Sequence, residues 1–238
     1  MTKRPVVRNI VGVRPKKTEL EQELPAGPQY TFFEAQEMAN ARGQPISEPF
    51  LPILERAYEI GMAQYGWEII EAVEEVKKID PKIIVEIGVW RGGTLHVWSQ
   101  CFPDAVVIGI DNGAEGYGKA VIDTIPRGKN VSLIGGNSHE VETLQKLETV
   151  LSGKLIDFLF IDGDHSMEGA RKDFEMYSKL IRKGGINAYH DICKKQPLDW
   201  IKVRPFWEDV LKTYKTKEIV DHDVVLNGIG IIYWDGPR

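Results

Sequence analysis

From about residue 67 to the end of the chain, short apolar runs alternate with stretches of helical period. The runs KIIVEIG (82–88), AVVIGID (105–111), VSLIGG (131–136), IDFLFID (156–162), GINAYHD (185–191), EIVDHD (218–223) and GIGIIYW (228–234) predict seven strands. In the first, second and fourth runs nearly every position is apolar, as in strands covered on both faces. The helical stretches between them predict crossover connections, so the expected class is α/β with a mostly parallel seven-stranded sheet flanked by helices.

Ahead of this core, TFFEAQEMANAR (31–42) suits a short helix stopped by Gly43, and a second helical pattern starts after Ser47-Glu48-Pro49. WEIIEAVEEVKK (67–78) repeats apolar residues at helical spacing and must end before Pro81. Residues 1–30 hold Pro5, Pro15, Pro25 and Pro28 with little periodicity and predict an extended arm. The expected organisation is an arm and helical cap over residues 1–66 and one α/β domain over 67–238. Repeats and low-complexity tracts are absent from the sequence.

Charge and cysteine content narrow the partners. The chain has 238 residues and a formal charge of -5, with its basic residues scattered, so a nucleic-acid partner is not expected. Cys101 and Cys193 are too few for a disulfide framework or a zinc cluster and favour a reducing compartment. No signal-peptide pattern and no apolar run of membrane-spanning length is present, which predicts a cytoplasmic protein without membrane contact.

The candidate chemistry gathers at the ends of the predicted strands. VEIGVWRGGT (85–94) leaves the first strand through Gly88, Gly92 and Gly93, which let the backbone turn tightly and a ligand approach its amides, or which only shape the turn. Asp111 ends the second strand about twenty residues later, where an acidic side chain can accept from both hydroxyls of a ribose or cap a turn. FLFIDGDHSMEGARKDF (158–174) crowds Asp162, Asp164 and His165 at the end of a buried strand, as a ligand or metal site or as a solvated turn. GINAYHD closes on His190 and Asp191.

Taken together, VEIGVWRGGT, the Asp111 strand end, IDFLFIDGDHSMEGARKDFEMYSKLIRKGG and AYHDI resemble the class I S-adenosylmethionine-dependent methyltransferases. The resemblance is strongest to metal-dependent small-molecule O-methyltransferases related to macrolide-sugar methyltransferases and to cephalosporin-hydroxylase-type proteins. It spans roughly residues 67–234 and leaves out the first fifty. It implies a Rossmann-like class I methyltransferase fold with the N-terminal helices as a cap. It also implies that Glu86 lies near the methionine end of the cofactor, that Gly88 and Gly92 border it, and that Asp111, next to Asn112, takes the ribose. Gly136, Asn137 and Ser138 would surround the adenine, and Asp162 would stand beside the transferred methyl group. In the macrolide-sugar relatives the aspartate at the place of Asp162 holds a divalent metal with two acidic residues after the fifth strand. Here those two positions are His190 and Asp191, so one ligand differs. His165, three places after Asp162, stands at the position of the proposed base.

Chemistry makes this arrangement intelligible. An aliphatic hydroxyl is a poor nucleophile at neutral pH, and a divalent cation stabilises its alkoxide. Two carboxylates suit magnesium, which keeps several positions for water or substrate oxygens, whereas an imidazole at His190 draws preference toward manganese, iron, cobalt or zinc. The ordinary pKa of His165 near 6.5 lets a neutral fraction accept a proton around pH 7. The bland alternatives are a helix-capping or solvent-facing His165 and a turn-capping His190-Asp191 pair. Asp164 is either a further ligand or the cap of a helix starting near Met167.

Trp98, Phe174, Tyr177 and Leu180 fall at core spacings, and Lys183-Gly184-Gly185 reads as a helix stop before the fifth strand. Trp90 would shield a cofactor or pack beneath it. Lys194-Lys195, Arg204, Phe206 and Trp207 would border substrate or belong to a loop and an amphipathic helix. The expected function is methyl transfer from S-adenosylmethionine to a hydroxyl of a small, sugar-like or natural-product-like molecule, with magnesium or manganese. The rivals are a noncatalytic cofactor- or sugar-binding protein on the same fold and a nicotinamide-dependent dehydrogenase; the lack of GxGxxG counts against the latter. The arm and cap could serve a homo-oligomer.

Overall fold

A computed structural model describes residues 36–37, 46–113, 130–196, 198–221 and 227–236. The expected arm, most of the helix at 31–42 and residues 222–223 of the sixth apolar run lie outside the described residues.

The first helices form where the sequence punctuates them. Helix α1 (Leu51–Ile60) takes Pro52 in its first turn, where a missing N–H costs nothing, and ends at Gly61 in the left-handed region. Helix α2 (Gly66–Lys77) buries Trp67, Ile69, Ala72, Val73 and Val76 on one stripe. The sheet then builds through β1 (Ile83–Ile87), α3 (Gly93–Cys101), β2 (Val106–Asp111), β3 (Val131–Gly135), α4 (Val141–Leu151) and β4 (Ile156–Ile161). It closes with α5 (Met167–Tyr177), a short 3-10 turn (Ser178–Leu180), β5 (Ile181–Tyr189), α6 (Val203–Thr213), β6 (Thr216–Ile219) and β7 (Ile229–Trp234).

The seven strands run β3-β2-β1-β4-β5-β7-β6, with β7 antiparallel to both of its neighbours and the other pairings parallel. Strand order reverses between β1 and β4, and the crevice at the carboxyl ends of those strands is where such sheets present ligands. Alternation along each strand feeds two apolar layers. Ile84, Phe158, Phe160, Ile186 and Ile231 pack toward α1, α2 and α3, with Trp98 edge-on to Phe158 and Phe160 at 4.9 and 5.5 Å. Val85, Ile87, Leu159, Ile161 and Tyr189 pack toward α4, α5 and α6. No described helix is long and apolar enough to cross a membrane.

Two boundaries differ from the sequence expectation. Strand β5 starts at Ile181, before Lys183-Gly184-Gly185, because Ile156 pairs with Ile181 and Phe158 with Ile186. Two steps on β4 therefore face five on β5, and the surplus residues form a bulge with Gly184 at φ 77°. Asp157 secures it by accepting from Arg182 Nε on one oxygen and from the Lys82 and Ile83 amides on the other. Strand β6 spans Thr216–Ile219 and stops two residues into the predicted run. Its partner β7 begins at Ile229, paired with Ile219, after Gly228 turns the chain at φ 94°.

Of the side chains that would border substrate or belong to a loop and an amphipathic helix, Arg204, Phe206 and Trp207 are structural. Phe206 and Trp207 are buried in α6, and Arg204 bonds Glu218 Oε1 at 2.6 Å and the Ile192 carbonyl at 3.1 Å. Helix α5 is capped by Ser166, whose Oγ accepts from the Gly169 amide. Asp164 instead closes the turn before it, accepting from the Ser166 amide at 2.8 Å.

Asp173 of α5 is fully buried, with His139 Nε2 3.4 Å from Oδ1. Burial outweighs the help of Ser138 and His139 and lifts its carboxyl from 3.8 to about 6. Because the folded state holds the proton more tightly than the unfolded chain, stability falls as pH rises from about 4 to about 6 and the loss persists above that. Asp173→Asn should therefore be more stable than the parent at pH 8, with the gap closing below pH 6; urea midpoints at the two pH values measure it. Gly88 sits at φ 84°, and a Cβ there would overlap the Asp162 carbonyl. Gly88→Ala should cost at least about 3 kcal/mol in the same assay, combining left-handed strain with a backbone clash that no rotamer can relieve.

Candidate active site

A cavity of about 590 Å³ opens at the carboxyl ends of β1, β2, β3, β4 and β5, a size ordinary for small-molecule sites. One wall is the loop from β1 into α3, where Gly88, Trp90 and Gly92 all have positive φ, at 84°, 46° and 89°. Asp111 shapes this loop: its Oδ2 accepts from the Val89 and Trp90 amides, both at 2.9 Å, and its Oδ1 from the Gly113 amide at 2.7 Å. A carboxylate has about four acceptor positions, so roughly one is left for a ribose hydroxyl. Asp111 is thus first a brace for the glycine loop. Trp90 lines the cavity with the Arg91 guanidinium 4.8 Å over its ring, which places it beside the ligand space rather than beneath it.

The other expected cofactor residues fall in three places. Gly88 and Asn112 line the cavity, and so do Gly136, Asn137 and Ser138 on the loop after β3. The Asn137 side chain accepts from the His139 amide, and the Ser138 carbonyl accepts from Tyr177 Oη at 2.7 Å, so this loop is held from within and from α5. Gly92 is the N-cap of α3 and does not line the cavity. Glu86 does not line it either: strand alternation places it with Ile84 on the α1–α3 face, fully buried. Burial, with Asp162 and Asp111 nearby, pushes its carboxyl well above the usual range and holds it neutral.

The opposite corner holds the candidate donors. One atom each from Asp162, His165 and Asp191 lies within 4.8 Å of the others, close enough to share an ion. His165 Nδ1 meets Asp191 Oδ2 at 2.7 Å, and Asp162 Oδ1 lies 3.9 Å from the same nitrogen. His190 stands behind this trio, its Nδ1 3.0 Å from Asp162 Oδ1 and 3.6 Å from Asp191 Oδ1, and its buried Nε2 meets no hydrogen-bond partner. The donor set expected from the sequence, Asp162, His190 and Asp191, is therefore brought together, but the compact trio takes its imidazole from His165.

The electrostatics of the corner follow from burial and crowding. Burial alone would raise the Asp191 carboxyl, yet the His190 and His165 rings beside it win and hold it low. Burial disfavours a charged His165, but its bond to Asp191 and the charges of Asp191 and Asp162 outweigh that and raise it. For His190 the same carboxylates overcome burial and lift it to about 10. Two carboxylates thus converge on the two imidazoles and strengthen their hold on protons. Two carboxylates converging at this spacing beside imidazole nitrogens fit a divalent ion, whose charge would offset theirs.

Sequence reasoning missed several contributors. Gln64, in the loop between α1 and α2, donates to Asp162 Oδ2 at 2.5 Å and accepts from Thr94 Oγ1 at 2.7 Å. Trp200, about half exposed, stands edge-on to His165 with ring centroids 5.2 Å apart, and Leu198 and Ile201 line the same wall. A lone glutamine outside the core motifs gives no signal in the sequence. An exposed tryptophan nine places after Asp191 gives a weak one.

Comparison with known proteins bears on the domain and its fold. Residues 85–192 match the family model described as a methyltransferase domain. An uncharacterised protein of Acanthamoeba polyphaga mimivirus is 32% identical over 130 residues, which cover 52% of this chain and 58% of that one. The match thus spans little more than half the length of that relative. Among solved structures, an O-methyltransferase from Bacillus cereus in complex with SAH superimposes with TM-score 0.61 at 15% identity, covering 84% of this chain and 96% of that one. The O-methyltransferase TomG of Streptomyces achromogenes, in complex with SAM, gives TM-score 0.53 at 15% identity over 85% and 88% of the two chains. A fibrillarin pre-rRNA processing protein of Methanococcus jannaschii gives 0.52 at 16% over 66% and 67%. Residues 85–192 thus match the model of a methyltransferase domain, in a chain with the Rossmann-like fold of the class I S-adenosylmethionine-dependent O-methyltransferases.

Proposed function

We propose that this protein transfers a methyl group from S-adenosylmethionine to a hydroxyl of a small molecule, with a divalent metal at Asp162 and Asp191. The observation that carries the proposal is a single cavity at the switch point, lined both by the glycine loop with Asp111 and by Asp162, His165 and Asp191. S-adenosylmethionine would supply an electrophilic methyl group, and a divalent cation would supply Lewis-acid stabilisation of the hydroxyl oxygen.

The remaining work falls to the chain. Backbone around Gly88 and the loop of Gly136, Asn137 and Ser138 would bind and orient the cofactor. Met62 of the cap loop, Trp200 and Ile201 would flank the acceptor above Asp162 and restrict water. The hydrogen bond between His165 Nδ1 and Asp191 Oδ2 makes Nδ1 the donor, so Nε2 is the atom that would receive the hydroxyl proton. Asp191 thereby orients the base as well as facing the metal. Its backbone φ of 64°, uncommon for a residue with a side chain, is what turns its carboxylate back toward His165 after β5 ends. Among the acceptors such a corner would suit are sugars and vicinal diols, whose second oxygen can also reach the metal.

Two measurements test this. Calorimetry should show S-adenosylmethionine binding to the full chain; absence of binding both with and without divalent metal would remove the cofactor from the proposal. His165→Ala and Asp191→Asn should keep that binding yet lose at least about 100-fold in turnover across a panel of hydroxylated acceptors, and chelation should do the same. Undiminished turnover in both variants and after chelation would contradict the base and the metal alike.

A further inference from the structure

The mechanism above leaves Gln64 without a task, although its environment is unusually specific. It is 4% exposed, and its backbone carbonyl accepts from Tyr58 Oη at 3.0 Å, which ties it to α1. Its Oε1 accepts from the Thr94 hydroxyl at the start of α3, which fixes which end of the amide faces the sheet. The NH2 group then points at Asp162 and donates to Oδ2 at 2.5 Å. The two oxygens of Asp162 are therefore divided. Oδ2 faces a donor that cannot also accept, and Oδ1 faces His190 Nδ1 at 3.0 Å and His165 Nδ1 at 3.9 Å.

An ion bound through both oxygens would have to crowd the Gln64 NH2 group on Oδ2, whereas coordination through Oδ1 alone leaves that hydrogen bond intact. Magnesium, and manganese with similar demands, take six donors at short distance and accept single carboxylate oxygens readily. Calcium takes six to eight oxygens at longer distance and gains from carboxylates that bind through both. We propose that Gln64 is a positioning residue that restricts Asp162 to one-oxygen coordination, so that the site selects magnesium or manganese over calcium. This rests on the metal site of the proposed function and deepens it. It also gives the cap segment a direct role, since Gln64 links α1, the start of α3 and the end of β4 through three hydrogen bonds.

The test is calorimetric titration of the full chain with manganese and, separately, with calcium, for the parent, Gln64→Met and Thr94→Val. Gln64→Met keeps similar volume without a donor and should weaken manganese binding about 10-fold or more, with a smaller loss or a gain for calcium, so that the preference narrows about 10-fold. Thr94→Val, which frees the amide to rotate, should shift the preference in the same direction by less. Melting curves report folding separately; if Gln64→Met does not fold, Thr94→Val decides. An unchanged manganese-to-calcium ratio, or an equal loss for both ions, overturns the inference while leaving the metal site standing. A parent protein that binds S-adenosylmethionine but neither ion removes the metal itself, and this inference with it.

Discussion

Everything in the cavity depends on a relay of backbone hydrogen bonds that carries the parallel ladder one step past the strand ends. The Gly136 amide donates to the Asp111 carbonyl at 2.9 Å and Gly88 to Ile110 at 2.9 Å. Asp162 donates to Ile87 at 2.8 Å and His190 to Ile161 at 3.1 Å. Neighbouring strands lie about 4.8 Å apart, so these bonds set the site segments in a row at fixed spacing before any side chain is considered. The row closes most tightly between Gly88 and Asp162, at the point where the strand order reverses. There the two backbones approach so nearly that only a residue without a Cβ fits.

That row concentrates acidic groups, and the protein handles each by a different physical means. Asp111 is satisfied by three backbone amides and stiffens the glycine loop in return. Asp191 stays ionised between two imidazoles despite its burial. Glu86, with no hydrogen-bond partner at Oε2, is held neutral under the cavity. Asp162 is the most constrained, with Gln64 on one oxygen and His190 on the other. The same carboxyl group thus serves as brace, base-orienting group, packing element and candidate metal ligand, according to what surrounds it.

Much of this was legible beforehand because a parallel sheet presents its chemistry at one edge. A run that is apolar to its last residue and then turns to DGDH or HD has to place those side chains at the carboxyl ends of strands, and Asp162, His165, His190 and Asp191 do meet there. The fourth and fifth runs became neighbouring parallel strands, although β5 took in the Lys183-Gly184-Gly185 segment that looked like a helix stop. That error is instructive. Glycines that end a helix and glycines that bulge a strand look alike until the partner strand is known, and β4 was the partner that decided it.

Alternation and strand-end motifs, which are local, therefore settled the fold class and the order of site segments. Which donor faces which could come only from packing. Gln64 reaches Asp162 across 98 residues of sequence, and Trp200 meets His165 from a loop with no periodicity of its own. Glu86 belongs to the same motif as Gly88, yet the two-residue strand period turns it to the buried α1–α3 face while the glycine turns toward the ligand space. The choice of His165 over His190 for the compact trio is likewise tertiary, because it depends on the left-handed turn at Asp191 that directs one carboxylate toward one of two nearby rings.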